Sequence, residues 1–279
     1  MSTALAVFHG AFGRVCLYSM DRAMVPHGHR EGHLIFHVQG PAGSVVVDDV
    51  TYPLSPGQAV GISPWQTHFY HPNDVSQPTL AVVLYIRPAW FLEASRRAQA
   101  SLRFGRVGVE VTPYLARMVY AIAHAMLDPD QEDPLIEERL CDVTQSAFDQ
   151  SWQWTASGPA FTGPSWPKRD YRIRNALRLL QDRLGDALEL DDVAREVGLS
   201  RPHFFKLFRM QVGVTPNIYL NALRMERAIE RLAGTQNAVG EIGLDLGFSS
   251  QASFSRFFIA NGVVAPSEYR RSVHVQLVS

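Results

Sequence analysis

Histidine is concentrated in the first quarter of this 279-residue chain, where seven of its ten histidines lie within the first 71 residues. The segment HGHREGH places three of them at alternate positions, and an extended strand would direct these to one face. Several imidazoles on one face can hold Zn, Fe, Ni or Cu. The same side chains can instead line a polar pocket for a small molecule, or simply end strands. The candidate ligands for a metal ion or an effector are His27, His29, His33 and His68, and Trp65 joins the effector set.

A second group of polar side chains lies in a unit that the C-terminal part contains twice. Unit 1 is LELDDVAREVGLSRPHFFKLFRMQVGVTPNIY (188–219), and unit 2 is NAVGEIGLDLGFSSQASFSRFFIANGVVAPSEY (237–269). Each predicts a short helix, a glycine turn at Gly198 or Gly247, and a second helix. This is the plan of a helix-turn-helix, whose second helix enters the DNA major groove. The repeat is stronger than a lone motif because each copy checks the other.

The second helices are predicted over about 201–211 and 251–261, with Phe and Leu facing inward. Their outward residues are of the types that bind base edges and thymine methyl groups. A single unit of this kind could be a helical bundle with a solvated basic face, but two units with matching basic residues favour DNA binding. The candidate DNA-binding residues are Arg201, His203, Phe205, Lys206 and Arg209 in unit 1, and Gln251, Ala252, Ser255 and Arg256 in unit 2.

Both units, with ALRLLQDRL before them and ALRMERAIERL between them, resemble the DNA-binding domain of the arabinose-regulator (AraC/XylS) family of bacterial transcription factors. The resemblance covers about residues 170–272. It implies a rigid connecting helix (217–234) that sets two recognition helices about one DNA turn, roughly 34 Å, apart. The chain departs from the family pattern at Gly243, Ile259 and Val263, all in unit 2. We therefore expect mutations in unit 1 to impair DNA binding more.

The N-terminal part has the pattern of short strands. Val45 to Val50 predicts a hairpin whose two-residue turn is Asp48-Asp49. Other β-rich runs are VCLYSM (15–20), LIFHV (34–38), QAVGIS (58–63) and LAVVLYI (80–86), which indicate a small antiparallel barrel over about 5–90. The order of its motifs is similar to the cupin sensor domains that precede this family's DNA-binding domain. Metal-binding cupins commonly combine an HxH pair, a carboxylate and a distant histidine, but here His33 stands where the carboxylate is expected.

Two helices with apolar stripes are predicted over about 109–151. The family resemblance implies that helices at this place supply a dimer interface, and we expect a homodimer. Packing of the stripes onto the barrel explains the same pattern equally well.

Together these patterns predict an α+β multidomain chain. Residues 1–152 form a cupin-like antiparallel β-barrel with flanking helices, for effector binding and dimerisation. Residues 153–169, rich in Gly, Pro, Ser and Thr, form a linker. Residues 170–279 form an all-α DNA-binding domain of two helix-turn-helix units joined by a long helix.

Charge and cysteine content agree with this division. From Lys168 onward there are 16 Lys and Arg against 12 Asp and Glu, a net charge of +4. The totals for the chain are 26 and 27, so the part before Lys168 has 10 Lys and Arg against 15 Asp and Glu, a net charge of −5. A basic C-terminal part suits phosphate binding. Two cysteines in the whole chain argue against a disulfide framework or a zinc finger. We expect a bacterial cytoplasmic, nucleoid-associated protein with no membrane partner.

The expected function is that of a sequence-specific transcriptional regulator, an activator rather than a repressor, whose cupin domain senses a small-molecule effector. The expected partners are double-stranded promoter DNA, the effector, RNA polymerase and a second copy of the chain. No enzyme activity is expected, and the one cofactor considered is a divalent metal in the cupin domain. The alternatives are a metal-dependent cupin enzyme or metal sensor fused to a DNA-binding module, and a DNA-bound structural protein without an effector.

Overall fold

The computed structural model describes residues 2–94, 102–128, 136–152, 170–185, 188–262 and 264–275. The predicted linker and Val263 lie outside these residues. The described strands are β1 (Thr3–Gly10), β2 (Gly13–Met20), β3 (Gly32–Gln39), β4 (Gly43–Val47), β5 (Val50–Leu54), β6 (Gln58–Ile62), β7 (His68–Pro72), β8 (Thr79–Ile86), β9 (Gly108–Glu110) and β10 (Val273–Val275). The described helices are α1 (Pro88–Ala94), α2 (Pro113–Leu127), α3 (Ile136–Trp152), α4 (Tyr171–Asp182), α5 (Leu190–Glu196), α6 (Arg201–Val212), α7 (Pro216–Gly234), α8 (Val239–Asp245), α9 (Gln251–Gly262) and α10 (Pro266–Ser272).

The strands form two sheets that enclose an apolar interior, and we call this two-sheet domain the barrel. One has the order β10-β1-β2-β8-β3-β6-β9, and the other has the order β5-β4-β7. The predicted hairpin is confirmed: β4 and β5 pair antiparallel, and Asp48 and Asp49 take φ values of 47° and 68°. Positive φ at both turn residues is what a two-residue hairpin turn with the strands' own twist requires. The antiparallel N-terminal sheet domain followed by a helical domain is the predicted fold class.

The central strands β2 and β8 are buried on both faces, which explains their continuous apolar runs. Along β2, Cys16 and Tyr18 belong to the interior between the sheets, whereas Val15 and Leu17 pack with the flanking helices. Alternate residues of a strand point to opposite faces, so each face needs its own apolar set.

The predicted stripes of α2 and α3 are buried within the chain. Leu115, Val119 and Ile122 of α2 share one apolar core with Val143 and Ala147 of α3 and with the outer face of the large sheet. These residues are therefore unavailable as a dimer interface, and packing onto the barrel accounts for the pattern.

The two helix-turn-helix units form as predicted, with α5 and α6 in unit 1 and α8 and α9 in unit 2. Gly198 and Gly247 end the first helices with φ values of 73° and 81°. The connecting helix α7 is continuous over 19 residues. Its first half, including Tyr219, packs in unit 1, and its second half, including Leu232, packs in unit 2.

Unit 2 also packs directly against the barrel. Phe254, Phe258 and Tyr269 lie in the same continuous apolar core as the inner residues of the sheets. The strand β10 follows α10 and pairs parallel with β1, Val7 opposite Val273. Unit 1 has an apolar core of its own. A shared core therefore joins unit 2 to the barrel, whereas unit 1 does not belong to that core.

Gly243, one of the departures in unit 2, is explained by a close helix crossing. A Cβ atom added there would lie 2.7 Å from Cβ of Phe254, closer than real contacts allow. The helices α8 and α9 therefore approach too closely for any residue with a Cβ atom at this position.

Among the described helices, none combines the length and the apolar character that a bilayer span needs.

Candidate DNA-binding helices and histidine cluster

The outer face of α6 carries the candidate residues of unit 1. Phe204, Leu207 and Phe208 are buried, and because the helix repeats every 3.6 residues the opposite side of the helix faces outward. Arg201, His203, Lys206 and Arg209 are exposed, and Phe205 is half-buried. The face is thus basic, and its cations stand clear of the apolar core.

Arg201 is engaged with its neighbours in this conformation. Its guanidinium forms an ion pair with Asp191 and lies 5.1 Å from the ring centroid of Phe205. Both charged side chains of the pair are at least half exposed, and ion pairs in water contribute little stability. If Arg201 left Asp191 to contact a DNA phosphate or base, the loss of this ion pair would therefore cost little free energy.

The outer face of α9 carries the candidate residues of unit 2. Gln251, Ala252 and Arg256 are exposed, and Ser255 is half-buried. The start of the helix is fixed by hydrogen bonds in both directions between Ser250 and Ser253, at 3.1 Å each from backbone nitrogen to hydroxyl. Phe257, predicted to face inward, is only half-buried and packs on Phe248 with a centroid distance of 4.8 Å. Unit 2 thus presents fewer cations than unit 1.

The four candidate histidines of the barrel, His27, His29, His33 and His68, do come together, and we call them the histidine cluster. The prediction that an extended strand aligns His27, His29 and His33 is wrong, because β3 begins only at Gly32 and residues 25–31 form a loop (the 25–31 loop). The loop is held by a two-way backbone pairing of His27 with His68, at 3.0 and 2.8 Å. Convergence therefore comes from pairing across the barrel.

Three imidazoles of the histidine cluster face one another closely. Their nearest ligand nitrogens, from His27, His29 and His68, all lie within 4.8 Å of one another. The fourth, His33, has its Nδ1 3.1 Å from Nε2 of His68. Burial lowers the pKa of all four, and for His29, His33 and His68 the pKa is lowered further by neighbouring imidazoles. They are therefore neutral near pH 7 and carry lone pairs.

A cavity lies between the histidine cluster and the DNA-binding domain. It has a volume of about 40 Å³, and His27 and His29 line it on the barrel side. Met225 and Asn261, from α7 and α9, line the opposite side. His33 and His68 line a second cavity of about 20 Å³ inside the barrel. The four predicted histidines thus line two small cavities, and His27 lines both of them.

Trp65 belongs to the domain contact. It adopts a φ of 67°, and its ring stacks on Tyr219 of α7 at a centroid distance of 5.1 Å. It lines neither of the two cavities beside the histidine cluster.

The sequence patterns did not predict an ion pair in the cavity that His27 and His29 line. Arg14 donates to Glu31 at 2.6 Å, and its guanidinium lies 3.5 Å from the ring centroid of Tyr85. Burial raises the pKa of Tyr85 to about 12, so its hydroxyl stays protonated. The available signal was Arg14 itself, a lone cation at the start of the apolar run of β2.

His9 joins the barrel to α10 and gives the domain contact a pH dependence. Its Nε2 lies 3.0 Å from the Tyr269 hydroxyl, and burial, with Arg14 and Arg87 nearby, lowers its pKa to about 4. In the unfolded chain His9 takes up a proton near pH 6.5, whereas in the folded chain it stays neutral until the pH falls to about 4. The contribution of His9 to the free energy of unfolding is therefore fully present above pH 6.5 and is lost as the pH falls toward 4.

We expect His9 to account for a loss of about 2 kcal/mol between pH 7.5 and pH 5. Urea unfolding of wild type and His9→Asn at both pH values measures how much of the pH-dependent loss in the free energy of unfolding is due to His9. The exposed His71 on β7 provides the matched control, His71→Asn, whose pH dependence should equal that of wild type. An unchanged pH dependence in His9→Asn would contradict the assignment.

Comparison with known proteins gives two family matches. Residues 15–144 match the AraC-like ligand binding domain, and residues 193–272 match a helix-turn-helix domain. The Transposon Tn10 TetD protein of Escherichia coli is 38% identical over 100 residues, which are 36% of this chain and 72% of that protein. The regulatory protein PocR of Salmonella typhimurium is 35% identical over 105 residues, 38% of this chain but only 35% of that protein.

A structural comparison covers nearly the whole chain. The crystal structure of apo ToxT from Vibrio cholerae superposes with a TM-score of 0.62 over 95% of this chain and 98% of that one, at 15% sequence identity. At this identity the likeness concerns the fold. It includes the arrangement of a β-sheet domain followed by two helix-turn-helix units.

Proposed function

The chain belongs to the AraC family of transcriptional regulators, and from this we propose that it binds promoter DNA through α6 and α9 together. The observation that carries the proposal is the pair of exposed outer faces at equivalent positions of two units, each with a cation at its centre, Lys206 and Arg256. The continuous helix α7 supports simultaneous binding because it holds both units in one orientation. The residues proposed to contact DNA are Arg201, His203, Phe205, Lys206, Arg209, Gln251, Ala252, Ser255 and Arg256.

The test is selection of bound DNA from a random-sequence pool by the full chain. A recurrent motif with two conserved blocks is expected, since two recognition helices bind successive major-groove segments. Recovery of random sequence at high salt would contradict specific binding, because the phosphate contribution alone carries no sequence information.

We propose that the barrel binds a small effector at the cavity beside the histidine cluster. The present volume of about 40 Å³ holds a few water molecules, whereas ligand pockets commonly measure about 300–1,000 Å³. An effector of several heavy atoms must therefore move α7 and α9 away from the barrel. This gives a route by which effector binding changes the orientation of the DNA-binding domain. A compound that shifts both the melting temperature and the DNA affinity would identify the effector.

The remaining parts of the proposal concern partners and organisation. Residues 1–152 form the sensor, 153–169 the linker and 170–279 the DNA-binding domain, in a bacterial cytoplasmic homodimer that contacts RNA polymerase as an activator. Because the apolar stripes of α2 and α3 are buried, a dimer would use outward residues such as Tyr114 and Leu127, which are 45% and 55% exposed. The proposal includes no catalytic step. The cofactor proposed for the barrel is a divalent metal ion.

A further inference from the structure

We infer that His27, His29 and His68 bind one divalent late transition-metal ion through their Nε2 atoms, and that this ion fastens the 25–31 loop against the DNA-binding domain. The inference rests on the proposed divalent-metal cofactor of the barrel and deepens it, because it names the ligand atoms, the class of ion and the part of the fold that the ion would control.

The hydrogen bonds of the three histidines fix which ring nitrogen carries the hydrogen and which carries the lone pair. Nδ1 of His27 lies 2.9 Å from the carbonyl oxygen of Val25, Nδ1 of His29 lies 3.0 Å from that of Glu31, and Nδ1 of His68 lies 2.9 Å from that of Gln66. A carbonyl oxygen only accepts, so each Nδ1 carries the hydrogen and each Nε2 carries a lone pair. A hydrogen bond of this kind orients metal-binding histidines and makes them better donors.

The three imidazoles converge on one place. One ring nitrogen of each lies within 4.8 Å of the other two, and nitrogens around a tetrahedral zinc ion are roughly 3.4 Å apart, given Zn–N distances of about 2.0–2.1 Å. Small rotations of the imidazoles close that difference. Nε2 of His29 is buried and has no hydrogen-bond partner among the described residues. A bound ion would satisfy it.

His33 has a different part. Nε2 of His68 has no hydrogen, so the 3.1 Å contact requires that His33 donate from its Nδ1. In this conformation the hydrogen bond from His33 occupies the lone pair of His68 that the ion needs. His33 therefore competes with the ion and is not among the three histidines whose ligand atoms converge, which narrows the four candidates to three.

The charged side chains beside the three histidines, Arg14 and Glu31, form an ion pair with each other. Arg14, the nearby cation, is paired with Glu31 at 2.6 Å. The second oxygen of that carboxylate lies 3.5 Å from Nδ1 of His29, behind the ligand atom, where negative charge strengthens an imidazole donor.

Three neutral nitrogen donors select the class of ion. Imidazole suits Zn, Cu, Fe and Ni, whereas Mg and Ca prefer oxygen. A fourth position is left for water, as in three-histidine zinc sites.

The ion would stiffen the part of the barrel on which the DNA-binding domain rests. Within the 25–31 loop, the backbone of Val25 donates to the carbonyl oxygen of Ala260 in α9 at 3.3 Å. Arg30 pairs with Glu226 of α7 at 3.7 Å. His68 belongs to β7, so an ion shared by the three histidines joins this loop to the sheet.

The test titrates Zn²⁺ into chelator-treated full chain by calorimetry. Wild type should bind one equivalent, and His27→Ala, His29→Ala and His68→Ala should each weaken binding at least tenfold, while the exposed control His71→Ala should not. His33→Ala should bind as tightly as wild type or more tightly. Loss of binding in His33→Ala to the same extent as in His29→Ala, with native circular dichroism in both, would overturn the ligand set.

Two measurements on wild type avoid any folding defect of the variants. X-ray absorption of the zinc-loaded chain should show three imidazole nitrogens, and fewer imidazoles or a sulfur ligand would overturn the site. Zn²⁺ should slow amide exchange in the 25–31 loop, and unchanged exchange would overturn the fastening. Failure of Zn²⁺ binding in a chain that still selects specific DNA would reject this inference alone and leave the DNA-binding proposal standing.

Discussion

Replacement of Lys206 by alanine is expected to weaken binding to the selected DNA site by about 1–3 kcal/mol, roughly 5- to 150-fold. The reason is that Lys206 is exposed at the centre of the outer face of α6, where a bidentate contact to a guanine edge is within the chemistry of the side chain. Arg256→Ala should also weaken binding, but by less. The outer face of α9 has one cation, Arg256, whereas that of α6 has Arg201, Lys206 and Arg209, so we expect unit 2 to contribute less to the affinity for DNA.

The measurement is a titration of labelled DNA followed by gel shift or anisotropy at one fixed salt concentration. Arg117→Ala on α2 is the matched control, because it removes one exposed positive charge from the sensor and leaves both units unchanged. Its affinity should equal that of wild type. Equal affinities for Lys206→Ala, Arg256→Ala and wild type would contradict the assignment of these contacts.

Removal of one buried phenylalanine from each unit should have different consequences for the barrel. Phe208 and Phe258 are both fully buried, and Phe→Ala replacements in a core commonly cost about 3–5 kcal/mol. Phe208 packs within the separate core of unit 1, so Phe208→Ala should loosen that unit and leave the barrel intact. Phe258 belongs to the core that unit 2 shares with the sheets, so Phe258→Ala should weaken the barrel as well.

Hydrogen–deuterium exchange of peptides from β1 and β8 distinguishes the two cases. Faster exchange is expected in Phe258→Ala and wild-type exchange in Phe208→Ala. Met210→Ala, in the same helix as Phe208 but 70% exposed, should change neither region. Barrel peptides that respond equally to both core variants would contradict the shared core.

Local sequence patterns predicted the elements that depend on neighbouring residues. The repeat, the glycine turns, α6, α7 and α9, and the Asp48-Asp49 hairpin are fixed by helical or strand periodicity and by turn chemistry, which act over a few residues. The strands β2, β3, β6 and β8 were predicted because each contains a run of apolar, β-branched or aromatic residues.

Long-range pairing explains what the sequence did not predict. The strands β1 and β10 meet from opposite ends of the chain, and no local pattern in either identifies its partner. The same holds for Arg14 with Glu31, and for the packing of unit 2 on the barrel. For the histidine cluster, the residues were chosen correctly as a group, but the backbone pairing of His27 with His68 replaced the predicted strand.

The most direct test of the account is a hydroxyl-radical footprint of the full chain on the DNA site that it selects. If α6 and α9 bind together, the footprint should contain two protected segments on one face of the duplex, about one helical turn or roughly 10 base pairs apart. Lys206→Ala should weaken one segment and Arg256→Ala the other. A single protected segment, or two segments that respond alike to each variant, would contradict binding through two recognition helices.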